Sequence, residues 1–254
     1  MTQASPVFRT RLAASAQDIA AAQRLRYSVF VRELGACGGL IDHAAQTEAD
    51  RFDPFADHLL LEDTAQPGAP VVGAYRLMSA AQAAAAGGFS AAPEFDLTPL
   101  LATGRPVLEL GRSCLLPAYR GGPAMMHLFA ALAQIAADRG DAIMFGVASF
   151  HGTDAGALSA PLAYLRQHHL APVHLRARAH GPGAAVMPTQ APTDRKAALR
   201  DIPPLIKAYL RLGGVVGEGA CVDAAFNTVD VCMILDPALM TTAQRARAVP
   251  ERMR

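Results

Sequence analysis

The sequence predicts an α/β fold in which a mixed central sheet is flanked by helices. The main observation is a strand–helix–strand unit. A strand begins at Val107, a helix runs from Pro123 to Arg139 with proline in its first turn, and a continuous apolar run extends from Ala142 to Phe150. Two strands joined by a helix of this length are expected to be parallel.

A second observation is a predicted hairpin before this unit. The strand-like runs Asp57–Leu61 and Val71–Met78 are separated by the turn residues Gln66, Pro67 and Gly68. A last strand is predicted at Val229–Leu235. Antiparallel and parallel pairs in one chain indicate a mixed sheet.

Composition excludes several classes of function. With 254 residues and a formal net charge of +1, the chain is not expected to bind nucleic acid. No apolar run reaches the roughly 18 residues of a membrane span, and Met1–Arg11 lacks the apolar core of a signal peptide. The four cysteines form no C-x-x-C pair, and the eight histidines show no metal-ligand spacing. We expect a cytoplasmic protein with reduced thiols and without a metal or bound cofactor.

We expect one domain over residues 1–254, because no linker or internal repeat divides the chain. Its core would cover about residues 10–170. An extension containing the last strand would cover about 171–240, and a basic tail would cover 241–254.

The first helix is predicted from a capping box at Ser15 to about Leu34. Arg26 and Phe30 fall on its apolar face. Arg26 either extends to water from the edge of the core or belongs to a site.

Residues 35–54 are predicted to be a loop with an acidic end. The carboxylates of Glu48, Asp50 and Asp53 form either a solvated turn or the wall of a pocket for a cationic amine. Arg76, in the second hairpin strand, is another arginine among apolar residues. A short helix is predicted to follow at Ser79–Ala86.

The C-terminal half is less regular. A helix capped by Thr153 or Asp154 is predicted to run to about His168, and residues 171–200 are predicted to be a strand fragment and a long loop. Pro203–Leu212 is predicted to be a helix that ends at two glycines. Residues 223–230 form a predicted turn, and the arginine-rich tail a fraying helix.

The strand from Val107 carries Glu109 and Arg112, and an unpaired charge in such an apolar segment is costly. Because side chains alternate along a strand, these two residues should face opposite sides. They serve one site only if the strand is bulged, for which Gly111 is a suitable place. The alternative is a structural ion pair or two edge-exposed charges.

The turn after this strand is basic and glycine-rich: Arg120, Gly121 and Gly122 precede Pro123 and Ala124. Backbone N–H groups at the start of the following helix suit a phosphate. A bulge would also free a backbone N–H near residues 112–115 to stabilise an oxyanion. Cys114, in the same strand, is more typical of packing than of a nucleophile.

Leu116–Leu128 resembles the pantetheine-phosphate segment of the GNAT acyltransferases, with Pro123 in place of the first glycine of their pattern. The first half of the chain also resembles the acyl-homoserine-lactone synthases of that superfamily. This second resemblance depends on Arg26, Phe30, Glu48, Asp50, Asp53, Arg76, Glu109 and Arg112.

The chain is most similar to the ornithine–acyl-carrier-protein N-acyltransferases, which start ornithine-lipid synthesis. The resemblance covers roughly residues 10–240. It is carried by the stretches Asp57–Leu60, Val72–Leu77, Glu94–Asp96, Leu108–Cys114, Ala148–Asp154, Pro203–Gly213 and Phe226–Asp230. It implies a GNAT-like fold with a family-specific C-terminal extension.

The resemblance implies transfer of a (3-hydroxy)acyl group from acyl carrier protein to the α-amine of an amino acid, most simply ornithine. Glu109 would be the base, directly or through a water, and Arg112 would act beside it. Arg26 and Arg76, like Arg112, would hold the substrate carboxylate or shape the acidic cluster. Glu48, Asp50 and Asp53 would attract the amine, with Phe30 nearby.

The thioester oxygen would meet backbone N–H groups near Leu115 and Leu116. Arg120, Gly121, Gly122 and Ala124 would bind the phosphopantetheine phosphate. The basic tail would allow peripheral contact with the inner membrane.

Three alternatives stay open. An acyl-homoserine-lactone synthase is one, although such enzymes usually have a tryptophan near the acidic loop and this chain has none. A similar enzyme for another amino acid, such as glutamine, is the second. A non-enzymatic module that binds acyl carrier protein or lipid is the third.

Overall fold

A sheet of nine strands forms the centre of the protein in the computed structural model, which describes residues 5–248. The strands are β1 Phe8–Leu12, β2 Leu40–Asp42, β3 Thr47–Ala49, β4 Asp57–Asp63, β5 Val71–Ser79, β6 Phe95–Asp96, β7 Val107–Leu115, β8 Ile143–His151, β9 Arg178–Ala179, β10 Ala184–Ala185, β11 Val215–Val216, β12 Ala220–Asp223 and β13 Thr228–Leu235. The α-helices are α1 Ala16–Arg26, α2 Ala80–Ala85, α3 Thr98–Leu101, α4 Ala124–Asp138, α5 Ser159–His169, α6 Arg195–Asp201, α7 Pro204–Arg211 and α8 Thr242–Ala248.

The order of strands in the central sheet is β1-β4-β5-β7-β8-β13-β12-β10, with β11 also paired to β13. β7 and β8 are parallel, as predicted for a strand–helix–strand unit. The other pairs of this sheet within the described residues are antiparallel, including the predicted hairpin of β4 and β5. The predicted mixed sheet flanked by helices is therefore confirmed.

Helices cover both faces of the sheet because apolar side chains alternate along the strands. The face that includes Leu59, Leu61 and Tyr75 packs against α4, α5 and α7. The opposite face packs in part against α1, where Leu60 and Ala74 contact the helix. Each fully buried large apolar side chain contributes about 1.5–3 kcal/mol.

The first helix begins as predicted, with Ser15 accepting a hydrogen bond from the backbone N–H of Asp18. It runs as α1 to Arg26 and then continues as a π-helix over Tyr27–Glu33. π-helical segments are frequent at functional sites. The change of helix type comes directly after Arg26, which is 1% exposed.

Several predictions of local structure were wrong. The predicted loop 35–54 contains the hairpin of β2 and β3, and the predicted loop in 171–200 contains α6. α5 begins at Ser159 because the Asp154 carboxylate accepts the backbone N–H of Ala157 in a turn instead of capping a helix. β1 was not among the predicted elements.

The tail is helical over α8. Arg252 and Arg254 of the predicted basic tail lie outside the described residues. Within residues 5–248, no helix combines the length and apolar character that a membrane span requires.

Candidate active site

The strand β7 is bulged where the sequence required it. Ala74 of β5 pairs with Cys114 and Arg76 pairs with Gly111, so β7 has one more residue than β5 across this stretch. The left-handed backbone conformation of this bulge is at Arg112, with φ of 50°, directly after Gly111, where the bulge was predicted. The bulge changes the alternation of side chains. As a result, Glu109 and Arg112 line the same cavity.

This cavity, of about 420 Å³, lies where β7 and β8 separate. Within the described residues, the two strands pair over three residues each: Val107–Glu109 of β7 pairs with Ile143–Phe145 of β8. Beyond that point both strands contribute to the cavity wall, β7 through residues 109–113 and β8 through residues 147–151. The separation of two neighbouring parallel strands therefore creates the opening for a ligand.

Gly146 lies at the point of separation. A Cβ atom built on Gly146 would lie 2.0 Å from the carbonyl oxygen of Leu110, which no side chain tolerates. Glycine permits this close approach of β8 to β7.

Glu109 is 2% exposed and lines the cavity. Its Oε1 accepts the backbone N–H of Ala91 at 2.7 Å, and its Oε2 accepts that of Ser90 at 3.0 Å. These two bonds satisfy part of the hydrogen-bonding capacity of the buried carboxylate and fix its orientation. Both oxygens of the Glu109 carboxylate therefore have a donor, and the residue forms part of the cavity wall.

The other predicted charged residues form one network with Arg112. It has three arginines and three carboxylates: Arg26, Arg76, Arg112, Glu48, Asp50 and Asp53. The formal charges of these six groups cancel.

Arg26 lies at the buried end of the network. Its Nε donates to Glu48 at 2.5 Å and its Nη1 to Asp53 at 2.7 Å. Burial acts to raise the pKa of Asp53, but the charge and hydrogen bond of Arg26 outweigh it and hold that pKa below its usual value. Arg26 is thus a core residue paired with two carboxylates and does not extend to water.

Asp50 lies at the cavity end, where it accepts hydrogen bonds from Arg76 and, at 2.9 Å, from Arg112. Burial opposes ionisation of Asp50, but these two arginines lower its pKa to about 2. The guanidinium of Arg112 also stacks on Phe226, 4.5 Å from the ring centroid. Phe226 packs edge to face against Phe30 in the same cavity wall.

The expectation that Glu48 and Asp53 attract the substrate amine does not fit this geometry. Both carboxylates are nearly inaccessible, at 0% and 3% exposure, and arginines already neutralise them. Of the three carboxylates of the acidic loop, Asp50 is the one found among the described residues that line the cavity. The arginines are paired with the acidic loop, which agrees with the alternative that they shape the acidic cluster.

The turn after β7, where a phosphate site is predicted, holds Arg120 in contacts within the protein. The Arg120 guanidinium pairs with both carboxylate oxygens of Glu33, at 2.5 and 2.8 Å, and its Nε donates to the Leu115 carbonyl at 2.9 Å. The backbone N–H of Leu116 donates to Val72 and so is not available to a thioester oxygen. Arg120 is thus engaged within the protein.

The glycines of this turn remain accessible. Gly121 has a positive φ of 74°, which glycine adopts without strain, and Gly122 is also exposed. They lead into the N-terminus of α4, a helix of 15 residues whose first residue, Ala124, is buried. Pro123 occupies the N-cap position of that helix.

Cys114 does not have the properties of a nucleophile. Burial raises the pKa of its thiol to about 12, so the reactive thiolate is not formed near neutral pH. The side chain packs in the small core beneath α1. The interpretation of Cys114 as a packing residue agrees with the structure.

A second, mainly apolar cavity of about 140 Å³ lies next to the first. Leu110 lines both cavities. The wall includes Phe129 and Ala133 of α4 and Tyr209 of α7. This space suits an alkyl chain that enters from the bulged strand.

Sequence reasoning did not assign a role to three acidic residues near Arg112. Carboxylate oxygens of Glu94, Asp223 and Asp230 lie within 4.8 Å of one another, and all three residues line the larger cavity. Burial is the main cause that raises the pKa of Glu94 to about 8 and that of Asp230 to about 6. The sequence does contain a signal for Asp230, because it is a charged residue inside the apolar strand Val229–Leu235. A charge in an apolar strand is also what identified Glu109.

Comparison with protein families identifies one domain in the chain. Residues 25–130 match the family model described as an acetyltransferase (GNAT) domain. This match includes β7, its bulge and the first part of α4.

Similar proteins extend the match to nearly the whole chain. An L-ornithine N(alpha)-acyltransferase of Rhodobacter capsulatus is 52% identical over 248 residues, which cover 96% of each chain. A protein of that name from Brucella abortus is 43% identical and covers 89% of this chain and 83% of its own.

Solved structures support the fold. An N-acyl amino acid synthase from uncultured soil microbes, FeeM, aligns over 94% of this chain and 98% of its own with a TM-score of 0.53 at 13% identity. The acyl-homoserine-lactone synthase LasI aligns over 97% of this chain and 96% of its own with a TM-score of 0.52, also at 13% identity.

Proposed function

Because this chain belongs to the L-ornithine N(alpha)-acyltransferase family of GNAT acyltransferases, we propose that it transfers an acyl group to the α-amine of ornithine. The donor is an acyl thioester of acyl carrier protein, with a (3-hydroxy)acyl chain, and the product is a lyso-aminolipid. The observation that carries this proposal is the bulge of β7, which brings Glu109 and Arg112 into one cavity.

The reaction needs a free amine. The α-ammonium of ornithine loses a proton to Glu109, directly or through a water, and the amine then attacks the thioester carbonyl carbon. The carbon–sulfur bond breaks, the pantetheine thiolate leaves, and the nitrogen loses its second proton. The net result is an amide, a thiol and one released proton.

Arg112 holds the α-carboxylate of ornithine. Its side chain retains 23% of its accessible area, whereas Arg76 is 2% exposed. A guanidinium suits a carboxylate because it donates two parallel hydrogen bonds. Arg26, Arg76, Glu48, Asp50 and Asp53 position Arg112, and Phe30 forms the wall behind Phe226.

The donor approaches from the turn after β7. The phosphate of phosphopantetheine lies against Gly121, Gly122 and Ala124 at the N-terminus of α4, where backbone N–H groups favour an anion. Leu115 and Leu116 flank the pantetheine arm, and Arg120 contributes positive charge although it is paired with Glu33. The acyl chain occupies the apolar cavity beyond Leu110.

The product is apolar, and peripheral contact with the inner membrane follows from the basic tail. Sedimentation with anionic liposomes tests this contact. We expect deletion of residues 242–254 to reduce the bound fraction, and an unchanged fraction would contradict it.

The central test is amide formation from acyl carrier protein loaded with a 3-hydroxyacyl chain, followed by mass spectrometry with each free amino acid. We expect the ornithine amide. An acyl-homoserine-lactone synthase would instead form a lactone from S-adenosylmethionine, and an enzyme for another amino acid would form that amide. A carrier that stays loaded with every acceptor would contradict catalysis.

Replacement of the proposed base gives a second test. We expect Glu109→Gln to lower kcat about 100-fold or more, because general-base catalysis contributes about 10²–10⁴-fold. Asp138→Asn is the matched control, since Asp138 is exposed on α4 and bonds to Gln134. Full turnover by Glu109→Gln would show that another group acts as the base.

A further inference from the structure

The acidic group formed by Glu94, Asp223 and Asp230 lies at one wall of the larger cavity. Glu94 comes directly before β6, Asp223 is the last residue of β12, and Asp230 lies in β13 opposite Ser149 of β8. Three separate elements thus bring their carboxylates together. The group lies beside Arg112, which lines the same cavity.

Buried oxygen atoms at this wall lack hydrogen-bond partners. Asp230 is 4% exposed and Thr228 is 8% exposed, yet neither Asp230 Oδ1 nor Thr228 Oγ1 has a well-formed hydrogen bond within the described residues. The nearby Ser149 and Thr228 hydroxyls act to lower the pKa of Asp230, but they do not outweigh its burial. Glu94 Oε2 also has no hydrogen-bond partner among residues 5–248. Leaving such oxygens without donors is unfavourable, so the wall is suited to a ligand that donates hydrogen bonds.

The carboxylates of the acidic group are not paired with arginines, unlike those of the arginine network. There, three arginines face three carboxylates, and Arg112 already donates to Asp50 at 2.9 Å. None of the ion pairs among the described residues includes Glu94, Asp223 or Asp230. The raised pKa of Glu94 agrees with this lack, since burial and the neighbouring Asp230 and Asp223 both disfavour its ionised form.

We propose that Glu94, Asp223, Asp230 and Thr228 bind the side-chain ammonium of ornithine and so select a diamino acid. This inference rests on the proposed function. Arg112 holds the α-carboxylate, Glu109 faces the α-amine, and the side chain extends along the cavity to the acidic wall. The acidic loop at 48–53, whose charges are already balanced, does not bind the ammonium.

An ammonium group fits this wall better than a divalent cation. It has three N–H donors for the three clustered carboxylates, of which Asp230 Oδ1 and Glu94 Oε2 have no well-formed hydrogen bond within the described residues. The Thr228 hydroxyl can donate to Asp230 and accept from the ammonium at the same time. A calcium ion takes about six to eight oxygen ligands, so with one oxygen from each carboxylate it would still need several waters or carbonyl groups. The wall also contains the aromatic ring of Phe226, which suits the methylene groups of ornithine.

The experiment compares ornithine with norvaline, which has the same carbon chain without the terminal amine. We expect Asp230→Asn and Glu94→Gln to raise the KM for ornithine about 10- to 100-fold, because each removes a hydrogen bond to a charged group. The KM for norvaline should change less than about twofold. Asp138→Asn is the control and should change neither.

Binding without an acyl donor separates this inference from the proposed function. In calorimetry we expect ornithine to bind the wild type more tightly than norvaline, with the difference lost in Asp230→Asn. If this pattern appears without amide formation, the proposed function fails and the ammonium site stands. If ornithine is acylated but the variants change both KM values equally, the ammonium site fails alone.

Two further outcomes would overturn the inference. The first is wild-type protein that binds or acylates norvaline as well as ornithine. The second is a thermal stabilisation by calcium or magnesium that Asp230→Asn abolishes, which would indicate a metal site. Asp223→Asn serves as an additional variant if either of the others fails to fold.

Discussion

Replacement of Arg26 by methionine tests the buried ion-pair network directly. Methionine keeps an unbranched side chain that matches the aliphatic part of arginine, but it lacks the guanidinium and so removes both hydrogen bonds to Glu48 and Asp53. The two carboxylates are 0% and 3% exposed, so water does not readily replace the guanidinium. Removing one partner of a buried ion pair costs about 3–5 kcal/mol.

The remaining arginines limit this loss. Arg112 Nε lies 3.5 Å from Glu48 and Arg76 Nη1 lies 3.4 Å from Asp53, and both stay in the variant. We therefore expect the lower end of the range, about 3 kcal/mol in the free energy of unfolding. For a chain of this size that corresponds to a decrease in Tm of about 6–12 °C.

Urea unfolding at pH 8 measures the loss, provided that the slope with denaturant stays unchanged. Arg200→Met is the matched control, because Arg200 and Asp201 form an exposed pair at 75% and 49% side-chain exposure. We expect the control to lose less than about 0.5 kcal/mol. A loss below about 1 kcal/mol for Arg26→Met would refute the conclusion that Arg26 compensates two buried charges.

The pH dependence gives a second check. In the wild type the pKa of Asp53 lies below its usual value, so this group contributes stability that is present above about pH 4 and is lost as the pH falls through the folded-state pKa. Without Arg26, Asp53 takes up a proton at a higher pH. The difference between wild type and variant should therefore shrink between pH 8 and pH 5.

Three further variants address the cavities and the bulged strand. Gly146→Ala should destabilise the protein by more than about 2 kcal/mol in urea unfolding, because the new Cβ would lie 2.0 Å from the Leu110 carbonyl oxygen. Ala133→Phe should fill the 140 Å³ cavity and shift the preferred acyl chain to a shorter length in competition between donors, whereas an unchanged preference would place the chain elsewhere. Cys114→Ala should leave turnover within about twofold and lower stability by about 1 kcal/mol, and loss of turnover without unfolding would contradict a packing role.

Local patterns predicted the elements of the central sheet well. The parallel pair of β7 and β8 followed from a strand, a proline-started helix and an apolar run, each strong enough to be recognised alone. The β4–β5 hairpin followed from its turn residues. Weak signals were missed: β2 and β3 have three residues each, and α6 lies in a stretch without clear apolar periodicity.

The candidate site was predicted only in part. Charges in apolar segments identified Arg26, Arg76, Glu109 and Arg112, because a buried charge requires a partner or a function. Asp230, a charge in the apolar strand Val229–Leu235, satisfies the same criterion. Which carboxylate pairs with which arginine depends on contacts between residues distant in sequence, such as Arg112 with Asp50.

The sequence by itself determined the fold class, the family resemblance and the requirement for a break in β7 between Gly111 and Cys114. Tertiary structure decided that the left-handed residue is Arg112, that Glu48 and Asp53 are neutralised beneath the cavity, and that Glu94, Asp223 and Asp230 meet at its wall. The reason is physical. Periodicity and turn chemistry act between neighbours in the chain, whereas the state of a charge depends on burial and on partners brought near by folding.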